Sequence, residues 1–157
     1  MEPIDPGIFS LDYLLENKVI TILSRDYVIE HGTYYDLIEV VEVTMNHLDY
    51  MVYPGKRYFD NVCDYRGMFS GVLYETWGNL NPVYYVHYKD GLRDGEEVWF
   101  YESGKVRNYR VWNNGRLVGK IFAWYENGKI KNITDLDQKT CVEFDEQGNI
   151  TKQGKMY

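Results

Sequence analysis

Cysteine and long apolar runs are scarce in this chain, and each scarcity excludes a class of protein. The 157 residues contain only 2 cysteines, Cys63 and Cys141. Two cysteines so far apart fit a reducing compartment better than a disulfide scaffold. No apolar run approaches the ~18 residues of a membrane span, and the amino terminus shows no secretory-signal pattern. We therefore expect a cytoplasmic protein with one ordinary domain.

Groups that could carry catalysis are equally sparse. The 3 histidines have neither metal-ligand spacing nor a nucleophile motif around them, and Cys63 has no local signature. These histidines are His31, His47 and His87. Glu96 and Glu97 are adjacent, so on a strand they would point to opposite faces and could not act as a catalytic pair. We predict no enzymatic activity, no cofactor and no metal site.

Negative charge exceeds positive charge only in the first two fifths of the chain. Residues 1–66 carry 12 acidic and 5 basic side chains, whereas residues 67–157 carry 12 of each. This acidic region would repel phosphates and anionic membrane surfaces, which argues against nucleic-acid and membrane partners. The acidic side chains either keep an aromatic-rich chain in solution or form a binding surface, and Asp36, Glu39 and Glu42 are the candidates for the second role.

Glycine pairs recur at a fixed period and indicate an array of repeats. Residues 88–111 and 112–135 are identical at 7 of 24 aligned positions. A weaker copy precedes them at 65–80, and a shortened copy follows at 144–150. The Gly-x-x-x-Gly pair occurs three times in steps of 24 residues, as Gly67 and Gly71, Gly91 and Gly95, and Gly115 and Gly119.

Each unit is predicted to be a pair of strands joined by tight turns. Asp90-Gly91, Asn114-Gly115 and Asn127-Gly128 suit two-residue turns, which need positive φ angles. The β-branched and aromatic residues between the turns favour strands. The predicted strands are Glu97–Tyr101, Lys105–Arg110, Ile121–Tyr125 and Lys129–Ile133. The predicted turn glycines are Gly67, Gly71, Gly91, Gly95, Gly104, Gly115, Gly119, Gly128 and Gly148.

The two best copies carry a recognisable motif. Asp90–Val106 and Asn114–Ile130 each contain Asp/Asn-Gly-x-x-x-Gly, an aromatic pair and a Glu-x-Gly-Lys-Val/Ile turn. Over residues 65–150 this pattern resembles the MORN repeat, and more closely its variant in bacterial antitoxin and immunity proteins. The resemblance implies that successive hairpins add to one elongated sheet that serves as a binding scaffold. We expect a mainly β fold, an elongated meandering antiparallel sheet of repeated β-hairpins.

Residues 1–64 depart from the repeat and are predicted to form a divergent, acidic capping region that continues into the repeats at 65–157 as one domain. Ser10 suits the N-cap of a short helix that ends near Asn17. The other predicted elements are strands at Val19–Leu23, Tyr34–Val43 and Tyr50–Tyr53. The segment 34–43 is ambiguous, because Leu37, Val40, Val41 and Met45 could also line one side of a helix.

Aromatic residues on the repeated strands are the candidate partner-binding surface. They either pack against glycines of the neighbouring hairpins or leave an exposed strip for a partner. These residues are Trp77, Tyr85, Trp99, Tyr101, Trp112, Trp124 and Tyr125. The resemblance implies an antitoxin or immunity-type inhibitor that neutralises a protein partner, for example a toxin with a basic active site. The alternative is a MORN-type structural adaptor for protein assembly or membrane attachment.

Overall fold

The computed structural model describes residues 4–34, 38–42, 50–54 and 69–156, with only the backbone at 38–42 and 50–54. In chain order the elements are a 3₁₀ helix (Pro6–Phe9), α1 (Leu11–Glu16), α2 (Arg25–His31), β1 (Thr33–Tyr34), β2 (Ile38–Glu42), β3 (Tyr50–Pro54), β4 (Gly71–Thr76), β5 (Pro82–Lys89), β6 (Leu92–Phe100), β7 (Val106–Asn113), β8 (Arg116–Trp124), β9 (Ile130–Asp135), β10 (Thr140–Phe144) and β11 (Ile150–Lys155). Within this part of the chain, no helix is long and apolar enough to cross a membrane.

Among the described residues, nine strands form one meandering sheet, and from β4 onward strands adjacent in sequence are adjacent in the sheet. From β4 to β11 every strand pairs antiparallel with the next, while β1 pairs parallel with β4 at the edge. The strands β2 and β3 pair antiparallel as a separate two-stranded sheet. The prediction of a mainly β, meandering sheet of hairpins with a small helical N-terminal part is confirmed.

Tight two-residue turns join β5 to β6 and β7 to β8. The φ angles are 51° and 84° at Asp90 and Gly91, and 48° and 82° at Asn114 and Gly115. Positive φ at both central residues is the geometry of a type I′ turn, whose twist matches that of the flanking strands. The two glycines thus occupy equivalent backbone settings 24 residues apart, as the repeat predicted.

A different turn closes the opposite ends of the strands. The Gly128 N–H donates to the Tyr125 carbonyl at 2.9 Å, and the Tyr125 N–H donates to the Lys129 carbonyl at 2.9 Å. The same pair of bonds occurs in the loops 77–81, 101–105 and 145–149. Only the last loop residue has positive φ, so these are three-residue loops with a left-handed final residue. The prediction of a two-residue turn at Asn127-Gly128 was therefore wrong.

The second glycine of each pair lies in a strand rather than in a turn. Tyr88 of β5 pairs with Arg93 of β6, and Val86 of β5 pairs with Glu97 of β6. A step of two residues along β5 therefore matches a step of four residues along β6, so β6 bulges at Gly95. Gly95 has a φ of 111°, and a Cβ there would lie 3.1 Å from the Cβ of His87. Gly119 lies in β8 and Gly71 begins β4, also with positive φ, while Gly67 lies outside the described residues. These glycines form bulges or strand ends because their positive φ favours glycine, and at Gly95 the close neighbouring strand also excludes a side chain.

The larger of two buried clusters lies against one face of the sheet, which we call the core face, and the smaller cluster comprises Phe69, Leu73, Val86 and Tyr88. One row of directly paired residues crosses seven strands and is buried throughout; it comprises Tyr74, Tyr85, Val98, Tyr109, Phe122, Ile133 and Val142. Leu14, Ile20 and Val28 from the N-terminal segment belong to the same buried cluster. The N-terminal segment therefore covers the core face and removes its apolar side chains from water.

The N-terminal segment is more helical than predicted. Helix α1 has Ser10 as its N-cap, with Oγ accepting from the Tyr13 N–H at 3.2 Å, and ends at Asn17 as expected. The predicted strand Val19–Leu23 is instead irregular, because its backbone pairs with no described strand. The second helix, α2, was not predicted; it starts after the N-cap Ser24.

The remaining N-terminal predictions concern strands. Backbone pairing of Ile38–Glu42 with Tyr50–Pro54 confirms strands in both predicted segments and excludes the helical alternative for 38–42. Tyr34 belongs to the short strand β1. Leu37 and Met45 lie outside the described residues.

Candidate functional site

The face opposite the core face carries a cluster built by the alternation of two paired strands. Glu97 and Trp99 are two residues apart on β6, and Arg110 and Trp112 are two residues apart on β7. Glu97 lies directly opposite Arg110 in the register. Because strand side chains alternate between faces, all four project to the same side. Together with Arg93 of β6, we call these residues the Glu97 cluster.

A buried carboxylate holds the cluster together. Glu97 is only 5% exposed. Its Oε2 accepts a hydrogen bond from Trp99 Nε1 at 2.5 Å, and its Oε1 accepts one from Trp112 Nε1 at 2.8 Å. Arg110 Nε lies 3.2 Å from Oε2, and Arg93 Nε lies 4.0 Å from Oε1. A buried carboxylate is costly without such partners, and here two indoles and two guanidinium groups compensate it.

Each indole ring is also fixed from one side. The Trp99 ring packs against Tyr84 with ring centroids 4.8 Å apart. The Arg93 guanidinium lies over the Trp112 ring, 4.9 Å from its centroid. Each tryptophan therefore has a hydrogen bond at its edge and a contact on its face, and such rings lose little conformational entropy when a partner binds.

The structure separates the other predicted aromatic residues into distinct roles. Tyr85 and Trp124 are both 0% exposed in the core, so neither ring can contact a partner, contrary to their predicted role. Tyr85 belongs to the row of paired residues on the core face, which the N-terminal segment covers. Trp124 is held against the same segment, because its Nε1 donates to the Phe9 carbonyl at 3.0 Å. Trp77 is half-buried at the end of β4, outside the Glu97 cluster.

Tyr101 and Tyr125 link successive units. The Tyr101 hydroxyl donates to the Trp124 carbonyl at 2.7 Å, and the Tyr125 hydroxyl donates to the Phe144 carbonyl at 2.8 Å. A basic side chain lies over each ring, Arg107 over Tyr101 and Lys131 over Tyr125. Both tyrosines are therefore part of the repeat scaffold, a role that the sequence prediction of partner contact did not include.

The predicted acidic binding residues fall outside the described side chains. Asp36 lies outside the described residues altogether. Glu39 and Glu42 belong to β2, for which only the backbone path is described. Their part in binding stays a prediction from the sequence.

The core face carries a second polar group, around Glu96. As expected for adjacent strand residues, Glu96 and Glu97 face opposite sides: His87 Nε2 lies 3.3 Å from Glu96 Oε2. Burial, followed by the Glu96 charge, raises the pKa of Tyr109 to about 12. Burial also raises the pKa of Tyr85, although its hydroxyl accepts the Leu23 N–H at 3.0 Å. Buried, high-pKa phenols keep their protons at neutral pH and act here as packing groups.

The described residues contain no group of three or more His, Cys, Asp or Glu side chains that could hold a metal ion. His31 is an exposed helix residue near Glu30, with 3.9 Å between Nε2 and the carboxylate. His47 and Cys63 lie outside the described residues. Cys141 is a free thiol on β10.

Sequence reasoning missed three members of the cluster, namely Arg93, Glu97 and Arg110. A signal was available, because a two-residue turn assumed at Ser103-Gly104 predicts a register in which Glu97 faces Arg110. The structure reaches the same register by a three-residue loop together with a register shift between Trp99 and Phe100. Alternation would then have placed Trp99 and Trp112 on the same side as this charge pair.

No family model matches this chain, and no curated protein sequence matches it. One solved structure matches, titled "Crystal structure of GtfA/B complex bound to UDP and GlcNAc", at 11% sequence identity and a TM-score of 0.25. The match covers 76% of this chain and 24% of that chain, so this chain spans about a quarter of its length. A likeness this low carries no argument about fold or function.

Proposed function

We propose that this chain is a non-enzymatic binding protein that holds a protein partner on the Glu97 cluster and neutralises it, as antitoxin and immunity-type inhibitors do. One observation carries the proposal: a single buried glutamate fixes two half-buried tryptophans and two arginines on one face of the sheet. Tryptophan, tyrosine and arginine are the residues enriched at the energetic centres of protein interfaces.

Preorganisation supports the proposal further. A partner that packs on Trp99 and Trp112 would not have to order these rings, because Glu97 already holds both indole N–H groups. Ordering a side chain at an interface costs about 0.5–1.5 kcal/mol, so fixed rings favour affinity. The same fixed geometry restricts which partner surfaces fit.

The inhibitor class rests on the sequence motif. The Asp90–Val106 and Asn114–Ile130 copies resemble the MORN variant of antitoxin and immunity proteins, and the acidic residues 1–66 suit a partner with a basic active site. In this proposal the acidic region steers encounter with the partner, and the Glu97 cluster supplies short-range contacts.

The test is to express this chain together with the protein encoded by the adjacent reading frame. We expect the neighbouring protein alone to arrest growth, and this chain to restore growth and co-purify with it. Trp99→Ala should weaken the complex by roughly tenfold or more, whereas Tyr13→Ala, an exposed residue of α1, should not. A neighbour that binds without affecting growth would favour the adaptor alternative, and a neighbour that does not bind would contradict this pairing.

A further inference from the structure

We infer that the chain binds a small aliphatic carboxylate in a cavity between the N-terminal segment and the sheet, which we call the Arg25 cavity. The cavity lies where the link between α1 and α2 passes over the loops 77–81 and 101–105. Its volume of about 340 Å³ is at the lower end of the range for small-molecule sites. The cavity is on the core face, opposite the Glu97 cluster, so the inference goes beyond the proposed function and does not depend on it.

Apolar side chains make up most of the cavity wall. On the sheet side, Phe100 and Val106 are 7% and 8% exposed. On the other side, Leu15, Ile22 and Leu23 pack against the core cluster but are only half-buried. An aliphatic chain in the cavity would remove their remaining apolar surface from water, which is the dominant favourable effect when apolar groups associate.

The charge of the lining selects an anion. Among the described residues that line the cavity, Arg25 is the one charged side chain. A carboxylate would therefore find a counter-charge in the lining, whereas an ammonium group would meet a like charge. A second cavity, next to Phe9, has a volume of about 430 Å³. It is lined by Lys120 and by the carboxylates of Asp5 and Asp135, so its charges select neither sign.

Asn81 holds the Arg25 guanidinium at the cavity. Asn81 Oδ1 accepts from Arg25 Nη1 at 3.2 Å, and Asn81 Nδ2 donates to the Glu102 carbonyl at 3.0 Å. Asn81 thus uses one of the five N–H groups of the guanidinium and fixes its position. Arg25 Nε also lies 3.7 Å from Asp26 Oδ1, but the two side chains are 52% and 90% exposed, and such an exposed pair is weak. A ligand carboxylate can therefore bond to the guanidinium in competition with Asp26.

The other polar side chains of the lining are already engaged. Ser24 Oγ accepts the Tyr27 N–H at 3.2 Å, and the Asn81 amide is bonded at both its oxygen and its nitrogen. Further polar groups on a ligand, such as the amides of a peptide, would lose their bonds to water without replacing them. A simple carboxylate with an unbranched aliphatic chain fits this lining best.

Sodium octanoate tests the inference, and octylammonium chloride is the control with the same chain length and the opposite charge. Binding is followed through the methyl signals of Leu15, Ile22 and Leu23 in two-dimensional ¹³C NMR spectra, at concentrations below those at which either compound forms micelles. We expect saturable shifts with octanoate and at least roughly tenfold weaker binding of octylammonium. Hexanoate, which is shorter by two methylene groups, should also bind roughly tenfold more weakly, because each buried methylene tightens binding about fourfold.

Two protein variants assign the carboxylate to its arginine. Arg25→Gln should weaken octanoate binding by about fivefold or more. Arg116→Gln removes an exposed arginine at the start of β8, outside the cavity lining, and should leave binding within about twofold. Because Arg25→Gln could alter the fold, the comparison of octanoate with octylammonium on the unaltered chain decides independently.

Three results would overturn the inference. Equal binding of octanoate and octylammonium would show that no carboxylate is recognised. Shifts confined to the methyl signals of Ile4 and Ile8 would place the ligand in the cavity next to Phe9 instead. Octanoate that causes no saturable shift would show that the cavity binds no aliphatic carboxylate. Octanoate binding by a chain that captures no protein partner would contradict the proposed function and support this inference.

Discussion

The Tyr101 hydroxyl donates a 2.7 Å hydrogen bond to the carbonyl of Trp124, which ends the next hairpin of the array. Tyr125 repeats this contact with Phe144 at 2.8 Å. The two tyrosines are identical residues at equivalent positions of the repeat, so the motif itself contains the bond that joins one unit to the next. The repeat is therefore defined by contacts between units as well as by its turns.

Removing one of these hydroxyls should weaken the array by a predictable amount. Tyr101→Phe should lower the free energy of unfolding by about 1 kcal/mol, because a buried carbonyl loses its donor while the ring stays in place. Urea unfolding followed by circular dichroism measures the change. Tyr13→Phe, on an exposed ring of α1, is the matched control and should stay within about 0.5 kcal/mol. Equal effects of the two variants would contradict the assigned bond.

Replacement of Leu80 by glycine should stabilise the folded chain. It occupies the left-handed final position of the loop 77–81 with a φ of 70°, where the equivalent loops have Gly104, Gly128 and Gly148. Its side chain is 62% exposed, so the loss of packing is small. Leu80→Gly should raise the free energy of unfolding by about 0.5–1 kcal/mol, because glycine adopts this angle without strain. A lower thermal midpoint would show that leucine is not strained there.

The reverse change at Gly128 should be destabilising. Gly128 has a φ of 88°, and a Cβ there would lie 3.9 Å from Leu11, so the site has room but the wrong backbone angle for a β-branched residue. Gly128→Val should cost more than about 1 kcal/mol. Gly78→Val is the control, because Gly78 lies in an equivalent loop without positive φ and without atoms near its Cβ position. Thermal unfolding that is the same for both variants would contradict the turn assignment.

Glu97 should contribute far more to the stability of the fold than Glu96, its neighbour in sequence. Glu97→Gln removes the charge that two arginines share and leaves an amide that cannot accept from both indoles with its two terminal atoms. We expect a loss of about 2–4 kcal/mol in the free energy of unfolding. Glu96→Gln, on the opposite face and 34% exposed at its side chain, should cost less than about 1 kcal/mol. Comparable losses would mean that Glu97 does not organise the cluster.

Alkaline pH should destabilise the folded chain through Tyr109. Its pKa is raised from 10.0 to about 12 by burial and by the Glu96 charge. The unfolded chain releases this proton near pH 10 while the folded chain retains it, so the contribution to stability is complete below pH 10 and is lost as pH rises to about 12. Tyr109→Phe should reduce the slope of unfolding free energy against pH in this interval. An unchanged slope would rule out the raised pKa.

The acidic region should affect the rate of encounter. Lysine at Asp36, Glu39 and Glu42 should slow association with a basic partner at low salt, and high salt should reduce the difference between the variant and the unaltered chain. Stopped-flow association with the protein encoded by the adjacent reading frame measures both rates. Equal rates for both proteins at both salt concentrations would remove this region from the binding surface.

The sequence was sufficient to predict the repeated hairpins, but it did not predict the bulge within a strand or the irregular N-terminal segment. Gly91 and Gly115 fix their turns through local backbone requirements, so spacing alone predicted equivalent hairpins. The bulge at Gly95 was not predicted, because it depends on how closely the neighbouring strand approaches at His87. Val19–Leu23 has the β-branched composition of a strand, yet it lies against the core face without a pairing strand, and such a tertiary contact overrides local propensity.

The candidate site was predicted in part. Residue type and strand position predicted that Trp99 and Trp112 contact a partner, and the structure places both in the Glu97 cluster. Tyr85 and Trp124 have the same residue types and strand spacing but lie on the covered face, and the position of the N-terminal segment is not encoded in the repeat itself. Glu97 was considered only as a catalytic acid, whereas its buried position follows from the strand register.

The N-terminal segment also sets how many strands the sheet can contain between β5 and β8. Phe9 accepts a hydrogen bond from Trp124 on β8, and Leu23 donates one to Tyr85 on β5, so 15 residues of fixed, partly helical chain connect four strands. Insertion of another hairpin between β5 and β8 would move these two anchoring points apart by roughly 10 Å, given the ~4.8 Å spacing of strands. Repeat arrays usually gain and lose units by duplication and deletion. In this chain a segment of constant length opposes such changes, and evolution of the central units would be limited to substitution.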